Sequence, residues 1–202
     1  MELEKINLKS DIEKRVKDFC NTEISDEEIK NRYGINDNVL WKLKDARKRI
    51  DDFDFNLIQD ISYRPFDNRF TYFDDEIIFN RRIEVTSNLI KNNLVLNFSK
   101  RDRDYNSNYF ITNHITDKGI NSSLDNSYMA PLYLYTEDGS KISNLNKEIW
   151  NKINEVVGET MPENILDYIY AFLYSPEYRE TYKEFLKIDF PRVPYSTDKK
   201  EF

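Results

Sequence analysis

Cysteine and histidine are nearly missing from this chain. Cys20 and His114 are the only ones among 202 residues. No internal disulfide can form, and no Cys/His cluster can hold a structural metal. Glycine and proline are scarce, at 4 and 6 residues, which argues against long flexible linkers. No two prolines are adjacent, no Gly-rich turn joins a strand to a helix, and no Gly-Lys-Ser/Thr phosphate loop occurs. No Asp followed by Glu-x-Lys trails a candidate strand as it would in a nuclease. No apolar run approaches the roughly 18 residues a membrane span needs, and the acidic, polar start does not read as a signal peptide. These absences point to a cytoplasmic protein that has no metal site and is catalytically silent by itself.

Positive charge is also short: 30 Lys and Arg face 37 Asp and Glu, a net of -7. That is unusual for a nucleic-acid binder, but the balance is uneven along the chain. Residues 1–60 carry a net of -3 and residues 121–202 a net of -5, whereas residues 61–120 carry +1. The middle third is therefore the surface least repulsive to a phosphate backbone, with weak affinity expected from this chain alone. Apolar residues at 39% and aromatics at 14% suffice for a sizeable core.

The first 60 residues read as helical. Leu3, Ile6, Ile12, Val16 and Phe19 fall near helical spacing, although Asn7 and Ser10 could break the first turns. Ser25 before Asp26, Glu27 and Glu28 is an N-cap with an acidic first turn, and Gly34 is its stop. Asn36 or Asp37 then caps an expected helix bearing Val39, Leu40, Leu43, Ala46 and Ile50. Its basic end, Arg47, Lys48 and Arg49, suits that helix's own C-terminal dipole. From Ile61 short β-rich runs follow: Ile61–Tyr63, Phe70–Phe73, Leu94–Phe98, Tyr109–Thr112 and Leu132–Tyr135. A helix is expected between Arg81 and Asn92. Another is expected from Asn146, with Ile149, Trp150, Ile153 and Val157 on one face and Gly158 after it. Pro162 and Pro176 each open a further helix with a sharp corner between, and the mixed charge of the second helix marks a packing unit. The expected architecture is mixed α/β (α+β): a helical segment over 1–60, a largely antiparallel β-rich core over 61–140, and a C-terminal helical hairpin over 141–202, folded as one compact unit.

Three blocks in order carry a family resemblance: YRPFDNRFTYF (Tyr63–Phe73), PLYLY (Pro131–Tyr135) followed by NLN (Asn144–Asn146), and DYIYAFLYSPEYRETYKEFLKIDFPRVPY (Asp167–Tyr195). The chain resembles the C-terminal specificity, or target-recognition, domain of type ISP and type IIG restriction–modification adenine DNA methyltransferases. The resemblance implies that it recognises a sequence in double-stranded DNA beside the methyltransferase domain of the same enzyme. It also implies that S-adenosylmethionine, the methylation chemistry, the translocase and the nuclease all belong to other segments. Relatives tend to continue beyond the position of Phe202. A docking module for the methyltransferase or another subunit, without DNA contact, is the alternative, and the acidic flanks favour it.

If DNA is read here, Arg or Lys to guanine and Asn to adenine are the usual contacts. Lys100, Arg101 and Arg103, straight after a strand, are the first candidates. Arg81 and Arg82 follow, at the start of an expected helix where phosphates bind well; the five are expected to build one positive strip. Arg69, Asn106, Asn108, Asn113 and Lys118 complete the set, while Arg64 and Asp67 read as a structural pair. His114 reads as an ordinary loop or strand-end residue.

Overall fold

Ile12, Val16 and Phe19 all lie on the buried face of α1 (Lys9–Cys20), the stripe their spacing requires. The structure, a computed structural model, describes every residue except 1–5, 51, 75, 78–81, 102–108, 123–124 and 201. It is mixed α/β and divides into two compact units, residues 1–86 and 87–202. The division does not fall near residue 60. The hairpin that follows the N-terminal helices packs its Ile58 and Tyr72 into the same apolar cluster as Ile12, Val16 and Phe19.

In the first unit Ser25 caps α2 (Asp26–Tyr33): its Oγ accepts the Glu28 N–H at 3.2 Å, and Gly34, at φ 61°, ends the helix. The next helix is shorter than expected. Asn38 Oδ1 accepts the N–H groups of Leu40 and Trp41 at 2.8 and 2.9 Å, and Asp37 Oδ1 accepts that of Leu43 at 3.0 Å. These side-chain turns compete with helical backbone bonds, so α3 spans only Leu43–Arg47 and leaves Val39 and Leu40 outside. Arg47 does not serve its own helix. It donates to the carbonyls of Phe19, Asn21 and Ile24 at 2.8, 2.5 and 2.9 Å and to Asp26 at 2.5 Å. It thus braces the end of α1 against the start of α2. Strands β1 (Ile58–Arg64) and β2 (Asp67–Tyr72) then form an antiparallel hairpin, with Ile6 bridged to Phe70.

The expected helix over 81–92 is only α4, Ile83–Thr86. The Thr86 hydroxyl donates back to the Arg82 carbonyl at 3.0 Å. Beyond it, Asn88 and Asn93 are buried with their carboxamides committed elsewhere in the second unit. There β3 (Val95–Ser99) lies between β4 (Phe110–Thr112) and β6 (Ser127–Pro131), antiparallel to both, and β5 is Ile115–Thr116. Strands β7 (Tyr133–Tyr135) and β8 (Lys141–Ser143) make a second hairpin. Tyr133 and Tyr135, two residues apart, present backbone groups along one edge of β7. Asn93 accepts the Tyr133 N–H at 3.1 Å and donates to its carbonyl at 2.7 Å, and Asn88 accepts the Tyr135 N–H at 2.8 Å. Two asparagine side chains therefore do there what a neighbouring strand would do.

Helices close the second unit. Asn146 caps α5 (Lys147–Val157), whose Ile153 and Val157 pack on Ile165 of α6 (Pro162–Tyr174). Ser175 ends α6 and caps α7 (Pro176–Thr181), and α8 (Lys183–Leu186) follows. Arg179 turns back to donate to the Leu173 carbonyl at 2.9 Å and lies 4.7 Å over the Tyr174 ring. The Tyr174 hydroxyl donates to the Tyr109 carbonyl at 2.7 Å. Leu96, Leu166, Leu173, Tyr178 and Leu186 fill the core between the sheet and this corner, which is a packing unit. Among the described residues no helix is long and apolar enough to cross a membrane.

Replacing Asn93 with Ala strands the Tyr133 N–H and C=O. It is expected to lower stability by about 2–4 kcal/mol in urea denaturation, whereas Asn92→Ala, on the exposed surface, stays within about 0.5 kcal/mol. The Tyr133 hydroxyl donates to Glu163 at 2.6 Å. Burial, and then this bond, push its pKa from 10.0 up to about 12. A raised folded pKa means stability is complete below pH 10 and falls as pH rises toward 12. Tyr133→Phe is expected to flatten that alkaline decline in thermal melts across the same window.

Candidate nucleic-acid interface

Strand β3 sets the geometry of the main candidate surface. Its register pairs Val95 with Thr112 and Pro131, and Ser99 with Ser127. Lys100 and Arg101 therefore leave the sheet at the end where β6 begins. Lys118 reaches the same end, because its carbonyl accepts the Ser127 N–H at 2.6 Å while the Asn121 N–H donates to the Ser127 hydroxyl at 3.0 Å. Asn113 lies in the turn after Thr112, at the opposite end of β3, roughly 15 Å away along five residues of strand. The sheet thus brings Lys100, Arg101 and Lys118 together and separates Asn113 from them.

Lys100 is held in place. Its Nζ lies 5.5 Å over the ring of Phe190, which packs edge-on against Tyr128 at 4.9 Å and Phe98 at 6.0 Å. Phe98 and Tyr128 are register partners on β3 and β6 and stack at 5.9 Å. Tyr128 is 41% exposed, so an aromatic face opens beside the cations. The buried Ser99 hydroxyl at this strand end has no hydrogen-bond partner among the described residues. Asp117 is nearby in sequence, buried, and caps Gly119 with its Oδ1 at 3.0 Å. The patch therefore combines cations, an aromatic face, polar backbone and one acid. Sequence reasoning missed the aromatic trio, since Phe190 lies far along the chain and no spacing links it to Phe98.

Asparagine 97 carries the sheet end without belonging to its surface. It is fully buried in β3, donates to the Phe110 carbonyl at 3.3 Å and accepts the Thr116 hydroxyl at 2.7 Å. It therefore locks β5 against β3.

The remaining candidates sit in the first unit or beyond the described residues. Arg69 on β2 holds Asp67 through Nη2 at 2.8 Å and Nε at 3.1 Å, and its guanidinium lies 3.9 Å over the Tyr63 ring. That bond, with Arg64 adding to it, holds the Asp67 carboxyl below the usual carboxylate range. Arg64 is the strand-register partner of Asp67 and stacks 4.1 Å over the other partner of this cluster, Tyr63. Arg82 is exposed at φ 49° before α4, a helix of four residues. Arg81, Arg103, Asn106 and Asn108 lie outside the described residues. His114 sits in the β4–β5 turn, its N–H donating to the Thr112 hydroxyl at 3.2 Å.

Comparison with known proteins agrees with this architecture. The family model described as the type ISP C-terminal specificity domain matches residues 7–202. No curated protein matches the chain. Among solved structures, the complex of DrdV with DNA is 21% identical with a TM-score of 0.73, covering 96% of this chain and 20% of that one. The ATP-dependent type ISP restriction–modification enzyme LlaBIII bound to DNA is 20% identical with a TM-score of 0.74, covering 98% of this chain and 14% of that one. A nuclease-deletion mutant of the type ISP enzyme LlaGI with a DNA substrate mimic is 19% identical with a TM-score of 0.63, covering 96% of this chain and 19% of that one. At these identities the likeness is one of fold, and the chain spans a fifth or less of each of those proteins.

Proposed function

This chain belongs to the type ISP C-terminal specificity domain family, and on that premise we propose that it reads DNA sequence for a larger restriction–modification enzyme and performs no chemistry itself. The observation that carries this reading is the gathering of Lys100, Arg101 and Lys118 with the open face of Tyr128 at one end of the β4–β3–β6 sheet. Lysine and arginine side chains on a rigid strand end suit phosphate contacts, which set register on the duplex. Arg103, Asn106 and Asn108 follow Arg101 in the sequence and are the residue types suited to base contacts. Arg81 and Arg82 remain separate candidates for phosphate contacts. Asn113, at the far end of β3, would contribute separately, and Arg69, bonded to Asp67, would meet phosphate from the hairpin.

Under this reading the methyltransferase segment of the same enzyme binds S-adenosylmethionine and methylates an adenine in the recognised site. One observation favours a second role. Val39 and Leu40 are 93% and 77% exposed beside the Asn38 turn, an aliphatic tip suited to docking on another segment of the enzyme.

The test is enrichment from random duplex pools by the full-length enzyme at two salt concentrations. One short motif is expected to emerge. Lys100→Ala, Arg101→Ala and Lys118→Ala are each expected to flatten the salt dependence of binding, by about 1 in the slope of log K against log salt. Asn113→Ala is expected to leave that slope unchanged. No enrichment, together with salt slopes that none of the lysine or arginine variants moves, would make this chain a docking module.

A further inference from the structure

The tip of the β1–β2 hairpin carries an apolar ring that the fold does not use. Pro65 and Phe66 alone connect Arg64 to Asp67, which are register partners. Phe66 is fully exposed, at 103% of its reference surface, and its backbone sits at φ 63°. Both features work against stability. A β-carbon is strained in the left-handed region, where Gly or Asn would sit at ease, and a solvated phenyl ring gains nothing from burial. Strain and apolar exposure at one residue point to a role outside the chain.

The shaft beneath the ring is stiff and cationic. The Tyr63 ring carries the guanidinium of Arg64 at 4.1 Å and that of Arg69 at 3.9 Å. Arg69 is fixed on Asp67, and the Ser62 hydroxyl donates to Asn68 Oδ1 at 2.9 Å. The pairing shifts register between Ser62 and Arg64, which twists the tip. The tip thus presents a phenyl ring flanked by two arginines and one aspartate, within the only third of the chain that has a net positive charge.

We propose that Phe66 is an apolar wedge that inserts against the base stack of a duplex, with Arg64 and Arg69 meeting the phosphates on either side. The chemistry recognised is the π-face of a base freed from its neighbour, which an aromatic ring stacks on regardless of sequence. Stacked guanidinium groups are weakly hydrated and still offer N–H edges to phosphate oxygens. The inference rests on the DNA-reading function above. An apolar pocket on another segment of the enzyme is the competing destination for the ring.

The experiment measures binding of the full-length enzyme, at low salt, to a matched duplex and to the same duplex with one mismatch, where unstacking costs less. Wild type is expected to prefer the mismatched duplex. Phe66→Gly, which relieves the backbone without touching the core, is expected to bind that duplex about tenfold more weakly and to lose the preference. Phe66→Trp is expected to keep both. Equal affinities for wild type and Phe66→Gly on both duplexes would overturn the wedge while leaving DNA reading intact, and would assign the ring to a protein pocket. Failure of wild type to bind either duplex would instead remove the DNA reading, and the wedge with it.

Discussion

Buried carboxamides hold the second unit together. Short strands leave many backbone groups without ladder partners, and a buried N–H or C=O left unpaired costs about as much as a lost hydrogen bond. This chain meets that demand with asparagine. Asn93 takes both backbone groups of Tyr133, Asn88 takes the N–H of Tyr135, and Asn97 joins Phe110 to Thr116. Asn144, though exposed, also donates to a strand carbonyl, that of Pro131 at 2.9 Å. Each replaces a stretch of strand by one side chain. A sheet of three-residue and five-residue strands can then stay fixed without many glycines.

That economy is what positions the candidate surface. With β3 pinned by Asn97 in the middle and β7 pinned by Asn88 and Asn93, the end of β3 is left to carry charge. Lys100 and Arg101 leave there, Lys118 is brought there by the Ser127 pairing, and the Phe98–Tyr128–Phe190 stack supports them. A rigid strand end bearing cations offers phosphate contacts and leaves the sequence beyond it free to specify bases. The overall charge of -7 is compatible with this, because the excess acid lies in the first and last thirds.

The elements that were legible in the sequence are those whose signals are local. The α1 stripe over Ile12, Val16 and Phe19, the Ser25 cap, the helix after Asn146 and the corner before Pro176 each depend on residues within one or two turns, and each is where its signal lies. The helix through Val39 and Leu40 was misread because Asn38 bonds to its own following backbone, an option that apolar spacing cannot reveal. The helix over 81–92 was misread for a longer-range reason, since Asn88 and Asn93 are drawn to partners more than 40 positions on or nearly so. Arg47 shows the same limit: its place at a helix end is visible, but its partners on the end of α1 are not. Of the candidate site, the cations of the β3 exit were legible as a basic run after a strand. Their aromatic support and their separation from Asn113 depend on register, which no local pattern records.

Hydrogen–deuterium exchange with and without duplex DNA reads out whether the β3 exit meets the duplex. Protection is expected at residues 98–101, 117–121 and 127–128, with little change on α5 and α6. Protection confined to the Val39–Leu40 turn or to the helical corner, with the β3 exit unchanged, would contradict that contact.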